Sequence, residues 1–70
     1  MSVAGNIKRL RAQNNMTQEE LAEKMFVSRQ TVSSWETGRN QPDVDTLTAL
    51  ASVFGTDVNE LIYGVPKGAY

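Results

Sequence analysis

Apolar side chains recur at helical intervals along most of the chain. Ile7 lies four residues after Val3 and three after Ala4, and Leu10 follows three residues later, which predicts a first helix over about residues 3–14. The clearest helical periodicity comes later, at Val44, Leu47, Leu50, Ala51 and Phe54. No stretch alternates apolar and polar residues as a half-buried strand does, so the pattern predicts an all-α fold.

Two polar capping signals define the next helices. Thr17 and Glu20 have the spacing of a capping box, in which each side chain bonds the other's backbone amide, and they predict a helix over about residues 18–25. Ser28 is a good N-cap for a third helix over about residues 29–37. A connection of only about three residues between these helices predicts a helix-turn-helix.

Similar signals delimit the last two helices. Asp43 or Asp45 begins the helix with the clear periodicity, and Gly55 ends it. Asp57 and Glu60 repeat the capping-box spacing before a short fifth helix. The sequence therefore predicts a compact domain of five helices.

The length of 70 residues permits one small domain. We expect residues 1–64 to form it and residues 65–70, which contain Pro66 and Gly68, to be a flexible C-terminal tail. The chain has no cysteine and no histidine, which excludes disulfides, thiolate metal sites and histidine-based catalysis. We expect no enzymatic activity, metal, cofactor or small-molecule ligand.

Acidic residues on the second helix do not change this expectation. Glu19, Glu20 and Glu23 suggest a catalytic or metal-binding carboxylate pair, but capping and a solvated face explain them more simply.

The longest apolar runs, such as residues 25–27, are far shorter than the roughly 20 residues of a membrane span. The N-terminus has neither the basic nor the apolar region of a signal peptide, so we expect a cytoplasmic protein without membrane contact.

The stretch TQEELAEKMFVSRQTVSSWETGRNQP resembles the helix-turn-helix of the lambdoid phage repressor and Cro (XRE-type) family of transcriptional regulators. The resemblance covers about residues 4–63 and rests on several motif positions together, which are Thr17-Gln18, Leu21-Ala22, Val27-Ser28, Val32, Trp35-Glu36 and Gly38. It departs at Phe26, where the family often has glycine. Either the turn is adjusted there, or packing compensates for the residue.

The resemblance implies that the third helix enters the major groove of double-stranded DNA and reads bases with its N-terminal residues. The residues implied to read bases are Ser28, Arg29, Gln30 and Ser34. Arginine can bond two acceptors on guanine, and glutamine can pair with adenine. The residues implied to contact phosphates, and so to set register, are Thr17, Gln18, Thr31, Arg39, Asn40 and Gln41.

Two further assignments concern structure and assembly. Arg11 could contact phosphate, but the resemblance pairs it with Glu36 in a partly buried ion pair. Trp35 could stack on a base, but its spacing from Val32 favours the core. The apolar residues of the fifth helix can serve the core, a dimer surface or both, and they are Val58, Leu61, Ile62 and Tyr63.

The net charge of −1 argues mildly against a nucleic-acid partner, but its distribution does not. Six basic and four acidic residues up to Gln41 give +2, whereas one basic and four acidic residues beyond it give −3. The helix-turn-helix half is therefore mildly basic, and non-specific affinity for DNA should be modest.

The leading hypothesis is a sequence-specific, nucleoid-associated transcriptional repressor that binds a pseudo-palindromic operator as a homodimer. Two alternatives use the same fold. One is an antitoxin that also binds a toxin protein, and the other is a protein–protein interaction module without a DNA role.

Overall fold

The computed structural model describes residues 2–69 and contains five helices and no strand within that range. The helices are α1 (Val3–Gln13), α2 (Gln18–Met25), α3 (Arg29–Thr37), α4 (Val44–Phe54) and α5 (Val58–Tyr63). The all-α, five-helix prediction is therefore confirmed. Met1, at which the predicted domain begins, and Tyr70, at which the predicted tail ends, lie outside the described residues.

The caps form largely where local sequence predicts them. Thr17 Oγ1 accepts a hydrogen bond from the Glu20 amide at 3.0 Å, and the Glu20 carboxylate accepts from the Thr17 amide at 2.8 Å. The bond from the Thr17 amide lowers the pKa of Glu20, because it favours the charged form of the carboxylate that accepts it. Asp43, and not Asp45, is the N-cap of α4.

Only half of the second predicted capping box forms. Asp57 accepts from the Glu60 amide at 3.1 Å. The Glu60 carboxylate does not return to the cap, because it accepts from the hydroxyl of Thr56 at 2.6 Å and from Arg9 at 3.2 Å. The prediction of a reciprocal box at this helix was therefore wrong, and Glu60 instead ties α5 to α1.

The core lies where all five helices meet. α3 packs against both α1 and α2, while α5 packs against α1 and α4. The buried apolar side chains are Ile7, Leu10, Leu21, Ala22, Val32, Trp35, Leu47, Leu50, Ala51, Phe54 and Leu61. The polar residue Asn6 is buried with them, and its side chain donates to the Leu61 carbonyl at 2.9 Å. This bond ties α1 to α5, and no buried side-chain nitrogen or oxygen within residues 2–69 lacks a hydrogen-bond partner.

The turn between α2 and α3 keeps its left-handed geometry without glycine. Phe26 has φ 58° and ψ 41°, and its side chain is 95% exposed. Neither possibility left open by the sequence is therefore realised, since the turn is not adjusted away from positive φ and the ring does not pack. The direction in which α3 follows α2 keeps Phe26 at positive φ, a backbone conformation that is unfavourable for residues with a Cβ atom.

The segment after α5 is exposed but touches the domain. The Lys67 amide donates to Asp57 at 2.9 Å, and Asn59 donates to the Val65 carbonyl at 2.9 Å. The flexibility of residues 65–70 stays a prediction. No helix in the described range is long and apolar enough to span a membrane.

Candidate nucleic-acid interface

The residues predicted to read bases lie on the exposed side of α3. Ser28 caps the helix, and its hydroxyl accepts from the Thr31 amide at 3.2 Å and bonds the Thr31 hydroxyl at 3.0 Å. Arg29 and Gln30 follow and are exposed, while Ser34 is half-buried one turn later. The N-terminal half of the helix thus presents charged and amide groups to the outside.

A shallow groove of about 140 Å³ runs along this side of α3, and we refer to it as the α3 groove. It is lined by Arg29, Gln30, Ser33, Ser34, Thr37 and Arg39. The structure therefore brings four of the predicted contact residues into one surface. It adds Ser33 and Thr37, whose positions three and seven residues after Gln30 place them on the same helical face.

Arg29 is not a free surface side chain. Its guanidinium donates to the side-chain oxygen of Gln18 at 3.2 Å. The amide nitrogen of Gln18 donates in turn to Glu36 at 3.1 Å. Sequence reasoning placed Gln18 at a phosphate and missed this link, because the two partners are eleven and eighteen residues away from it.

Glu36 anchors this network in the protein. Its carboxylate accepts from Arg11 through two bonds, of 2.6 and 3.2 Å, and only 3% of the side chain is exposed. Arg11 also donates to the Met16 carbonyl at 2.7 Å. Because Arg11 is committed to these partners, its role in the structure is to join α1 to α3. A partly buried ion pair thus supports, through Gln18, the guanidinium at the start of α3.

The remaining predicted phosphate contacts fall at two places beside α3. Thr17 begins α2, where Gln18 and Arg29 line an open cleft of about 450 Å³. Arg39, Asn40 and Gln41 are exposed in the loop after α3. The amides of Arg39 and Asn40 bond the Ser34 carbonyl at 3.0 and 3.3 Å, which fixes the start of this loop against the helix end.

The predicted dimer residues of α5 do not form a single exposed set. Leu61 is completely buried, so it belongs to the core and not to a surface. Val58 is half-buried against the core, whereas Ile62 is 40% exposed and Tyr63 is 65% exposed. The surface available on α5 therefore centres on Ile62 and Tyr63.

Within residues 2–69, no group of acidic side chains is arranged to hold a metal ion. A larger open depression of about 630 Å³ lies between the end of α1 and the α4–α5 connection. It shares no residue with the predicted contacts.

Comparison with known proteins places this geometry in context. The sequence profile of the helix-turn-helix family matches residues 7–61. The HTH-type transcriptional activator BcrR of Enterococcus faecalis is 38% identical over 58 residues, which are 83% of this chain and 28% of the activator. The immunity repressor protein of Bacillus phage phi105 is 36% identical over 62 residues, which are 89% of this chain and 43% of the repressor. The chain thus spans less than half the length of these two relatives.

Two solved structures show the same fold. The P22 c2 repressor, solved in complex with a synthetic operator, has a TM-score of 0.85 and 23% identity, with 93% of this chain and 98% of that chain covered. Hydroxypropylphosphonic acid epoxidase from S. wedmorenis has a TM-score of 0.81 and 30% identity over 86% of this chain, but over only 32% of the enzyme. The fold therefore makes up nearly all of the solved P22 c2 chain but only a minor part of the epoxidase chain.

Proposed function

This chain belongs to the helix-turn-helix family of DNA-binding transcriptional regulators, and from this premise we propose that it represses transcription by binding a specific operator as a homodimer. In this proposal α3 lies in the major groove and its exposed N-terminal residues meet the base edges. Such a role would place the protein at the nucleoid, in the cytoplasm.

The observation that carries the proposal is the support of Arg29 by Gln18 and Glu36. A free arginine side chain loses rotamer freedom when it is fixed on a base. Here the 3.2 Å hydrogen bond from Arg29 to Gln18 restricts the guanidinium before any partner binds. The other guanidinium nitrogens remain available for the two acceptors that guanine presents in the major groove. A solvated helix face needs no such support.

Neighbouring side chains extend the same surface. The Gln30 side chain makes no hydrogen bond within residues 2–69 and is exposed, so its amide group is available to pair with adenine. The first amides of α2, after Thr17, favour a phosphate together with the helix dipole. Arg39 in the following loop supplies positive charge at the other end of the α3 groove.

Homodimerisation follows from the size of the module. A single small module buries little surface on DNA, so useful affinity requires two copies on one operator. Half-sites would then lie about 34 Å apart, which is one turn of the double helix. Ile62 and Tyr63 are the exposed apolar residues of α5 that we assign to the contact between the copies.

Two matched arginine variants test this proposal. We expect Arg29→Ala to weaken binding to a selected operator by about 1–3 kcal/mol and to relax the preference at one base pair. We expect Arg39→Ala to weaken binding to all duplexes about equally and to reduce the salt slope by about one. Selection of operators from random duplexes with each variant makes the comparison. If Arg29→Ala retains every base preference of the wild type, α3 does not read DNA in the way proposed.

A further inference from the structure

The hydroxyl groups on the outer side of α3 have different hydrogen-bonding states within the protein. A hydroxyl carries one proton to donate and two lone pairs that accept. Ser34 Oγ donates its proton to the Thr31 carbonyl at 2.7 Å. Thr37 makes the same kind of bond to the Ser34 carbonyl at 3.3 Å. Both protons therefore point back into the helix, and lone pairs remain for a partner in the α3 groove.

The start of α3 presents the opposite chemistry. Arg29 has donors only, and one of its nitrogens is already occupied by Gln18. The α3 groove therefore combines hydrogen-bond donors, at Arg29 and Arg39, with acceptors at Ser34 and Thr37. Ser33 lies beside Ser34 in the same groove, but its hydroxyl makes no hydrogen bond within residues 2–69 and can rotate to donate or accept.

Base edges in the major groove also differ in whether they donate or accept hydrogen bonds. Adenine and cytosine carry an amino group that donates, whereas guanine and thymine present only acceptors for hydrogen bonding. Resting on the proposed DNA-binding function, we infer that Ser34 acts as a hydrogen-bond acceptor and selects a base with an amino group, adenine or cytosine, on the strand that it faces. Ser34 then fixes the orientation of a base pair and not its identity as A·T or G·C.

The preference for an amino group has an energetic basis, because donating to a base would cost Ser34 its hydrogen bond to the Thr31 carbonyl. To donate to guanine or thymine, its hydroxyl must leave the Thr31 carbonyl, whereas accepting from an amino group retains that bond. One hydrogen bond of this kind corresponds to roughly a three- to tenfold difference in affinity. The preference at this position should therefore be moderate and weaker than the preference set by Arg29.

Single-atom changes in the operator test the inference on the full chain. Operators are first selected with the wild type and with Ser34→Ala, and the base pair whose preference disappears in the variant is the one that Ser34 faces. Adenine or cytosine at that pair is then replaced by purine or pyrimidin-2-one, which lack the amino group. A 7-deaza purine at the same pair removes the main purine acceptor instead. Ser33→Ala is the matched control, since it removes a neighbouring hydroxyl without this internal bond.

We expect loss of the amino group to weaken binding of the wild type and of Ser33→Ala by roughly three- to tenfold. Ser34→Ala should bind the altered and unaltered operators equally, which also controls for any weakening of the base pair itself. The inference is overturned if Ser34→Ala retains the sensitivity to the amino group, or if it abolishes a sensitivity to the 7-deaza change instead. A wild type that selects no operator at all would refute the proposed function, whereas selection without a Ser34-dependent effect refutes this inference alone.

Discussion

Replacement of Phe26 isolates the cost of left-handed backbone in the turn of the helix-turn-helix. The residue has φ 58°, a conformation that is unfavourable by about 1–2 kcal/mol for a residue with a Cβ atom but not for glycine. Glycine loses about 0.4–1 kcal/mol more backbone entropy on folding. The ring is 95% exposed, so its removal should cost almost nothing. We therefore expect Phe26→Gly to stabilise the protein by about 0.5–1 kcal/mol.

Urea denaturation followed by circular dichroism measures this change, with Phe26→Ala as the control that removes the ring but keeps the Cβ atom. We expect Phe26→Ala to lie within about 0.5 kcal/mol of the wild type. In thermal melts, Phe26→Gly should raise Tm by about 2–8 °C. If Phe26→Gly is no more stable than Phe26→Ala, the backbone is not strained at this position. If Phe26→Ala is destabilised by more than about 1 kcal/mol, the ring packs in solution and the reasoning is wrong.

Three further predictions concern the ion pair, the first capping box and assembly. A double-mutant cycle of Arg11→Ala and Glu36→Ala, measured by urea denaturation, should give a coupling free energy of about 1–3 kcal/mol. A coupling free energy near zero would contradict the role of this ion pair in joining α1 to α3. Because the Thr17 bonds lower the pKa of Glu20 below its ordinary value of 4.5, its carboxylate stabilises the fold above that pH and loses this effect as pH falls through the lowered pKa. The stability difference between the wild type and Glu20→Gln should thus shrink in acid, and a difference that stays constant with pH would refute this reasoning. In gel shifts, Tyr63→Lys should weaken binding to an operator with two half-sites but leave binding to a single half-site unchanged. Equal effects on the two operators would place Tyr63 outside the dimer contact.

Local interactions explain why much of the fold could be predicted. The limits of α2 and α3 follow from Thr17 and Ser28, whose capping bonds reach only three residues along the chain. Capping at such a distance depends on few other parts of the molecule. The same reasoning failed at Glu60, because the long-range partner Arg9 competes for its carboxylate.

Long-range polar contacts account for most of what the sequence did not reveal. Asn6 lies beside Ile7 on the buried side of α1, and only the position of α5 shows that its amide has a carbonyl partner there. The bond from Gln18 to Arg29 likewise depends on how α2 and α3 cross. Phe26 is a third case, because the sequence indicates an unusual turn but the crossing decides whether the backbone or the side chain adapts.

The most direct test of DNA reading by α3 is the specificity ratio of the wild-type chain. Fluorescence anisotropy would compare a selected operator with a shuffled duplex of the same composition, both at about 0.15 M salt. We expect the selected operator to bind about a thousandfold more tightly, as is typical at the lower end for specific DNA-binding proteins. Equal affinity for the two duplexes would contradict sequence-specific recognition by this surface.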